Sequence, residues 1–200
     1  FKNKRSKQHK FSYPLHEDAL SDLDLYEASK VLISRQLTMS NKTKEFENFF
    51  KKKLGLKYCL MLNSGSSANL ISLFALINPQ KRNRLKPGDE CLVPAVCWPT
   101  SLWPIIQAGL TPKFIDVDIN TFSLNLKTIK ENITKKTKAI MTINVLGNCS
   151  EIDEIQKFAN KQKIILIEDN CESLGSKYKG KYLGSYGDFS SFSFYYSHQI

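Results

Sequence analysis

The feature of this sequence that most constrains its fold is the alternation of short apolar runs with amphipathic segments from residue 58 onward. Apolar runs of about 4–8 residues are typical of buried strands, and apolar residues three or four apart are typical of helices. The pattern predicts strands at 58–62, 90–93, 113–117, 139–144 and 164–168, and helices at 66–77, 99–108, 126–133 and 151–162. Alternating strands and helices need right-handed crossovers, so we expect an α/β fold: a mostly parallel sheet with helices on both faces.

Other elements flank this alternation. Two amphipathic helices are predicted first, at 18–34 and 43–54, the second ended by Gly55, a residue that tolerates positive φ. A surface hairpin is predicted at 177–183 and a last strand at 189–196. Open parallel sheets bind ligands beyond the carboxyl ends of their strands, so function is best sought in the loops that follow the strands.

Composition excludes several classes of protein. Hydrophobic residues make up 42% and charged residues 24%, an ordinary globular mixture. No apolar run approaches the roughly 18 residues that span a bilayer, and no apolar segment follows the basic start as in a signal peptide. We therefore expect a cytoplasmic protein with no membrane partner.

The net charge of +10 is unevenly distributed, because half of it comes from the first ten residues. We predict a basic tail at 1–13, with the folded part at 14–200. Such a tail can bind nucleic acid or anionic lipid, but a solvated terminus is the favoured interpretation, so no nucleic-acid partner is expected. The chain opens on Phe1 and stops at Ile200 directly after a dense aromatic segment, from which we expect a fragment.

The cysteines do not suggest a metal site. The five of them include no C-x-x-C pair and lie near no histidine cluster, so no metal is expected. Cys59 and Cys91 lie in strand-like runs and are interpreted as reduced core residues.

The loop at 63–69 follows a predicted strand and opens a helix. Gly65 permits close backbone approach, while Ser66 and Ser67 add hydroxyl donors to the free N–H groups of the helix start. This arrangement suits one phosphate group, although it is neither a P-loop nor a G-x-G-x-x-G motif. A plain serine-capped helix is an equal alternative.

Two further loops carry unusual side chains. Trp98 lies between prolines directly after a strand, where an indole can stack on a flat ring, although a core or surface Trp is the commoner case. Glu168 and Asp169 end an aliphatic run, and strand alternation places them on opposite faces, so only one can meet a given ligand. A protonated heterocyclic nitrogen would offset the cost of burying such a carboxylate; capping of a following helix is the alternative.

The last segment, 190–198, alternates serine with aromatic residues and ends near His198. Alternation directs Ser191, Ser193 and Tyr195 to one side. A lone histidine after a strand is usually structural, so His198 alone indicates little.

Taken in order, these loops resemble the pyridoxal-phosphate-dependent sugar aminotransferase family of fold type I, the DegT/DnrJ/EryC/StrS group. The matching stretches are 63–69, 84–89, 93–100, 114–118, 138–143, 167–175 and 184–198. The resemblance implies a phosphate site at Gly65, Ser66, Ser67 and Ser193, ring stacking on Trp98, and pairing of the pyridine nitrogen with Asp169. It also implies a homodimer, and a small C-terminal domain absent from this chain. Glu172 is placed near the ring hydroxyl on the same basis.

The chain departs from the majority pattern of the family at His198, and also at Cys171 and Glu172, where the aminotransferases more often have a small residue followed by Gln. The family usually reads S-F-x-x-x-K where this sequence ends in His198, and a histidine cannot form the covalent link that the lysine makes with the cofactor. Histidine here resembles the branch of sugar 3-dehydratases acting on GDP-4-keto-6-deoxymannose or CDP-4-keto-6-deoxyglucose. The resemblance therefore implies pyridoxamine phosphate or pyridoxal phosphate as cofactor, a nucleotide-diphosphate keto-sugar as substrate, and His198 as catalytic base. An ordinary sugar aminotransferase, a non-catalytic relative and a nucleic-acid binder are the alternatives.

Overall fold

A computed structural model of the chain describes residues 20–196 and 198; the predicted basic tail lies outside this range. Within it, the helices are α1 (Asp22–Ser34), α2 (Asn41–Leu54), α3 (Gly65–Ile77), α4 (Pro99–Gln107), α5 (Leu126–Asn132) and α6 (Ile152–Gln162). The strands are β1 (Glu90–Pro94), β2 (Thr111–Ile115), β3 (Thr137–Ile143), β4 (Ile165–Asp169), β5 (Lys177–Tyr178), β6 (Lys181–Tyr182) and β7 (Phe189–Ser191). A 3-10 turn covers Val145–Gly147.

Five strands form one sheet in the order β2-β1-β3-β4-β7, and every neighbouring pair is parallel. The register sets Ile143 beside Asp169 and Asp169 beside Ser191. Strands β5 and β6 form a separate antiparallel hairpin. The predicted parallel α/β fold and the predicted hairpin are therefore confirmed.

Helices cover both faces of the sheet because neighbouring strand residues point to opposite sides. One core includes Leu92, Ile140 and Leu166 with side chains from α5 and α6. The other includes Val93, Met141 and Ile167 with side chains from α3 and α4. Strands buried on both faces read as continuous apolar runs, which is the pattern seen in the sequence.

Local signals set the helix ends. Ser21 and Asp24 form a reciprocal capping box, so α1 begins at Asp22 rather than at the predicted residue 18. Gly55 adopts a left-handed conformation (φ 71°) and ends α2 as predicted. No residue of α1 is buried, so its apolar stripe has no partner within the described part of the chain. None of the described helices is long and apolar enough to cross a membrane.

Two strand predictions were wrong: one strand does not form, and the other is shorter than predicted. Residues 58–62 form no strand: Tyr58 and Leu60 are each 75% exposed, and the N–H of Met61 donates to the side chain of Glu47 rather than to a neighbouring strand. An apolar run becomes a strand only where another strand completes its ladder, and none does so among the described residues. The predicted strand at 189–196 stops at Ser191, because its partner β4 ends opposite that residue.

Candidate cofactor-binding site

The carboxyl ends of β1, β4 and β7 lie at one edge of the sheet, where the amino end of α3 joins them. Asp169, the last residue of β4, is only 5% exposed there. Its Oδ2 accepts from Nδ2 of Asn69 at 2.8 Å and from Oγ of Ser101 at 2.7 Å, while Oδ1 accepts from the N–H of Cys171 at 3.1 Å. A carboxylate offers about four acceptor positions, so Oδ1 retains one for a ligand.

Glu168 points to the other side of the sheet, as alternation predicted. It accepts hydrogen bonds from the backbone N–H groups of Gly184, Tyr186 and Gly187 at 2.6–2.8 Å. Burial raises the pKa of this carboxyl, and the three N–H donors oppose the increase. Glu168 therefore anchors the 184–187 loop instead of capping a helix, and it is separated from the site of Asp169.

The amino end of α3 has the features expected of an anion site. Oγ of Ser64 accepts from the N–H of Ser67 and donates to its hydroxyl, both at 3.1 Å. Ser66 is exposed, and within the described part of the chain the N–H groups of Gly65 and Ser66 have no acceptor. Free N–H groups, an exposed hydroxyl and the helix dipole together favour a negatively charged ligand.

Gly65 also brings two predicted site segments together. A Cβ at this position would lie 2.8 Å from Cβ of Ser193 and 2.7 Å from Sγ of Cys171. The start of α3 thus packs directly on the segment after β7 and on the turn after β4. Ser193 is buried, and its Oγ accepts from the N–H of Tyr195 at 3.1 Å.

Trp98 stands at the N-cap of α4, directly after the loop that follows β1. Its side chain is 72% exposed, so the ring faces are open. Pro99 begins the helix, and Ser101 in its first turn bonds Asp169. Trp98 therefore lies three residues before Ser101, which contacts the buried carboxylate of Asp169 directly.

Glu172 lies in the turn after β4, three residues beyond Asp169, where its Oε2 accepts from the N–H of Leu146 at 3.2 Å. Leu146 adopts a left-handed conformation (φ 50°) in the 3-10 turn that follows β3. The contact ties the β3 and β4 loops together, but it does not bring Glu172 to Asp169.

Among the described residues, no hydrogen bond or ring contact joins His198 to another candidate residue. Its N–H donates to the carbonyl of Tyr195 at 2.9 Å, and its ring meets that of Tyr195 edge to face at 5.4 Å. The Nδ1 atom is buried and has no hydrogen-bond partner among the described residues. Burying an imidazole nitrogen costs free energy unless a hydrogen-bond partner is supplied.

Sequence reasoning missed two residues that hold Asp169. Asn69 is four residues after Gly65 on α3, so the two lie on one helix face. Ser101 is three residues after Trp98, at the start of α4. The helical spacing from residues already identified was the available signal, although spacing alone did not show which carboxylate they would meet.

The described cysteines are free thiols. Cys91 is a buried core residue as predicted, whereas the prediction for Cys59 was wrong in part, because Cys59 is only partly buried and lies in no strand. Burial and the charge of Asp169 raise the pKa of both Cys97 and Cys171. No cluster of metal-binding side chains occurs in the described ranges.

Comparison with known proteins gives a consistent result. The family model described as the DegT/DnrJ/EryC1/StrS aminotransferase family matches residues 19–200. GDP-4-keto-6-deoxy-D-mannose 3-dehydratase of Escherichia coli is 45% identical over 189 residues, covering 94% of this chain and 48% of that protein. The protein of the same name from Yersinia pseudotuberculosis is 39% identical with the same coverage. The chain thus spans about half the length of these relatives.

A solved structure extends the likeness to three dimensions. The Escherichia coli GDP-4-keto-6-deoxy-D-mannose-3-dehydratase with bound hydrated PLP superposes with a TM-score of 0.88 at 45% identity. The match covers 94% of this chain and 48% of that one. The family match to residues 19–200 includes every candidate residue.

Proposed function

Because the chain belongs to the DegT/DnrJ/EryC1/StrS aminotransferase family, we propose that it forms part of an enzyme that removes the 3-hydroxyl of a nucleotide-linked 4-keto-6-deoxy sugar with bound pyridoxamine phosphate or pyridoxal phosphate. The observation that carries the proposal is His198, which stands where the family usually has lysine. Relatives named as 3-dehydratases support it.

The residues at the sheet edge fit such a cofactor. An anionic phosphate suits the free N–H groups of Gly65 and Ser66, with the hydroxyls of Ser67 and Ser193 as further donors. A protonated ring nitrogen suits Asp169, whose carboxylate is buried, held by three donors and left with one acceptor position. When bound, the cofactor supplies an amine that condenses with the sugar ketone and a ring that withdraws electrons.

Two side chains complete the proposed binding role. The exposed indole of Trp98 offers a stacking face for the pyridine ring. Glu172 is assigned a hydrogen bond near the ring hydroxyl; the acceptor capacity it keeps besides its bond to Leu146 allows this.

His198 moves the proton in the proposed reaction. An imidazole titrates near neutral pH, so it can take a proton from the cofactor's methylene carbon and deliver it to the hydroxyl leaving sugar carbon 3. A lysine at this position would attach the cofactor covalently and favour amine transfer. Histidine in place of lysine therefore favours dehydration over amine transfer in an enzyme with the aminotransferase fold.

The proposal extends to partners and location. The substrate is a nucleotide-diphosphate keto-sugar, and relatives named for a GDP-linked sugar favour that nucleotide. We assign a homodimer in the cytoplasm, with neither nucleic acid nor membrane as partner. The expected products serve deoxysugar and O-antigen polysaccharide biosynthesis.

Borohydride reduction tests the role of His198. Full-length protein loaded with pyridoxal phosphate should release all cofactor after borohydride and denaturation, whereas the His198→Lys variant should retain it covalently, as measured by protein mass. His198→Asn serves as the control that removes the base without adding an amine: it should bind cofactor, remain unlinked and lose turnover. Covalent retention by the wild type would contradict the lysine-free mechanism.

Product analysis separates the remaining alternatives. Mass spectrometry of the sugar should show loss of the 3-hydroxyl and no nitrogen at carbon 4. A product that keeps the hydroxyl and gains nitrogen would assign an aminotransferase. A wild type with no cofactor absorbance would assign a non-catalytic relative.

A further inference from the structure

A chain of hydrogen bonds between buried side chains connects β7 to the carboxylate of Asp169. The hydroxyl of Ser191 donates to Oδ1 of Asn69 at 2.6 Å, and Nδ2 of Asn69 donates to Oδ2 of Asp169 at 2.8 Å. Asn69 is only 1% exposed, and Ser191 is also buried. Asn69 belongs to α3, so a helix side chain bridges two neighbouring strand ends.

The donors and acceptors allow only one orientation of the Asn69 amide. A carboxylate accepts and does not donate, so the amide nitrogen must face Asp169. The amide oxygen then faces Ser191, whose hydroxyl must be the donor. The second N–H of the amide is directed at the carbonyl of Thr100 at 3.4 Å. Both ends of the amide are therefore committed, and the side chain cannot rotate without leaving a buried polar group unpaired.

We propose that Asn69 is a positioning residue for the cofactor, which holds the Asp169 carboxylate in the orientation that presents Oδ1 to the ring nitrogen. This inference rests on the proposed function, since it takes that nitrogen as the partner of Asp169. Asn69 acts through Asp169 and contacts no reacting atom. A hydrogen bond to a buried charge is worth about 1.5–3 kcal/mol, which corresponds to roughly 10-fold to 100-fold in affinity.

Among the residues that the structure describes, hydrogen-bond donors, rather than a positively charged side chain, hold the carboxylate of Asp169. Ser101 supplies a second donor to Oδ2, from the first turn of α4. The titratable side chains that face the carboxylate are Cys97, before α4, and Cys171, after β4. Burial and the charge of Asp169 itself raise the pKa of both thiols, so they stay neutral at neutral pH. Neutral donors from Asn69 and Ser101 thus hold the Asp169 carboxylate in place.

The test measures pyridoxamine phosphate binding to full-length protein by fluorescence titration, together with the absorbance spectrum of the bound cofactor. Asn69→Leu keeps the volume and removes the donor, so affinity at neutral pH should fall by about 10-fold to 100-fold. The absorbance band of the bound cofactor should also shift, because its ring nitrogen then faces a carboxylate that is no longer held in place. Ser191→Ala, which removes the partner of the amide oxygen, should move both readouts in the same direction by less.

The control is Thr137→Val at the opposite end of the sheet. Thr137 begins β3, is buried, and its hydroxyl donates to Oε2 of Glu90 at 3.2 Å. The variant loses a comparable buried hydroxyl, so it should lower stability without changing the affinity for the cofactor or its absorbance band. If Asn69→Leu fails to fold, Ser191→Ala decides the question by itself.

The outcomes separate this inference from the proposed function. Variants at Asn69 and Ser191 that bind the cofactor with wild-type affinity and a wild-type absorbance band would overturn the positioning role and leave the enzyme assignment intact. A matching shift in Thr137→Val would also overturn it, by showing a general effect of stability. A wild type that binds no pyridoxamine phosphate at any pH would overturn the proposed function itself.

Discussion

Replacing Gly65 with alanine tests the packing on which the candidate site depends. Gly65 is the first residue of α3, and its backbone does not have a positive φ. Alanine is normally favoured over glycine in helices by roughly 0.5–1 kcal/mol. Helix propensity alone therefore predicts a more stable protein.

The packing predicts the opposite sign. The new Cβ would lie 2.7 Å from Sγ of Cys171 and 2.8 Å from Cβ of Ser193, against 3.4–4 Å for ordinary contact. The thiol can turn aside, but Cβ of Ser193 is fixed to its backbone, so the segment after β7 has to move. Overpacking of this kind costs about 1–3 kcal/mol and outweighs the gain in helix propensity. We expect Gly65→Ala to lower the free energy of unfolding by about 1–2 kcal/mol.

Urea unfolding of full-length protein without cofactor measures this change. Ser66→Ala is the matched control, since it adds no atom, lies on the same turn and is exposed; its midpoint should stay close to that of the wild type. Gly65→Ala should also weaken cofactor binding, because Ser193 moves away from the proposed phosphate site. A Gly65→Ala protein as stable as the wild type, or more stable, would refute the reasoning.

Two further predictions concern stability. Burial raises the pKa of Glu168 above its ordinary 4.5. Protonated Glu168 therefore stabilises the folded state fully below pH 4.5, and this contribution is lost as the pH rises through the pKa that Glu168 has in the folded state. Glu168→Gln removes this pH dependence, so the difference in unfolding free energy between wild type and variant should narrow as the pH rises. Urea unfolding at a series of pH values measures it, and a constant difference would contradict the raised pKa of Glu168. Phe50 packs edge to face on Phe192 at 5.1 Å and is buried, so Phe50→Ala should cost about 3–5 kcal/mol by urea unfolding. The matched control, Phe49→Ala, removes a ring that is 63% exposed and should cost far less, and equal losses would contradict the packing.

The alternation of strands and helices was enough to predict the parallel sheet, because apolar runs such as 164–168 must be covered on both faces. Residues 58–62 have the same apolar character but form no strand. Their backbone needs a neighbour that no local pattern specifies, and the described chain offers Glu47 instead. Propensity is local, whereas strand formation is a property of pairs.

The sequence likewise predicted the candidate residues but not the long-range contacts between them. The sequence placed Gly65 and Asp169 directly after predicted strands and Ser193 in the last predicted strand. In the structure, Gly65 packs against Ser193, and Asn69 of the same helix α3 donates to Asp169. The contact between Asn69 and Asp169 joins residues 100 positions apart, and no local signal reports such a pair. The roles assigned to Trp98, Glu172 and His198 stay predictions, because each depends on a bound ligand.

The two adjacent carboxylates at the end of β4 differ in the donors that hold them. Glu168 is held by three backbone N–H groups of one loop, whose positions are set by the fold itself. Asp169 is held mainly by side chains from two helices, Asn69 and Ser101. Backbone donors fix a loop regardless of ligand, whereas side-chain donors from separate elements orient a carboxylate while leaving Oδ1 an acceptor position. The donor set, rather than burial, therefore supports the proposal that Asp169, and not Glu168, pairs with a cationic group.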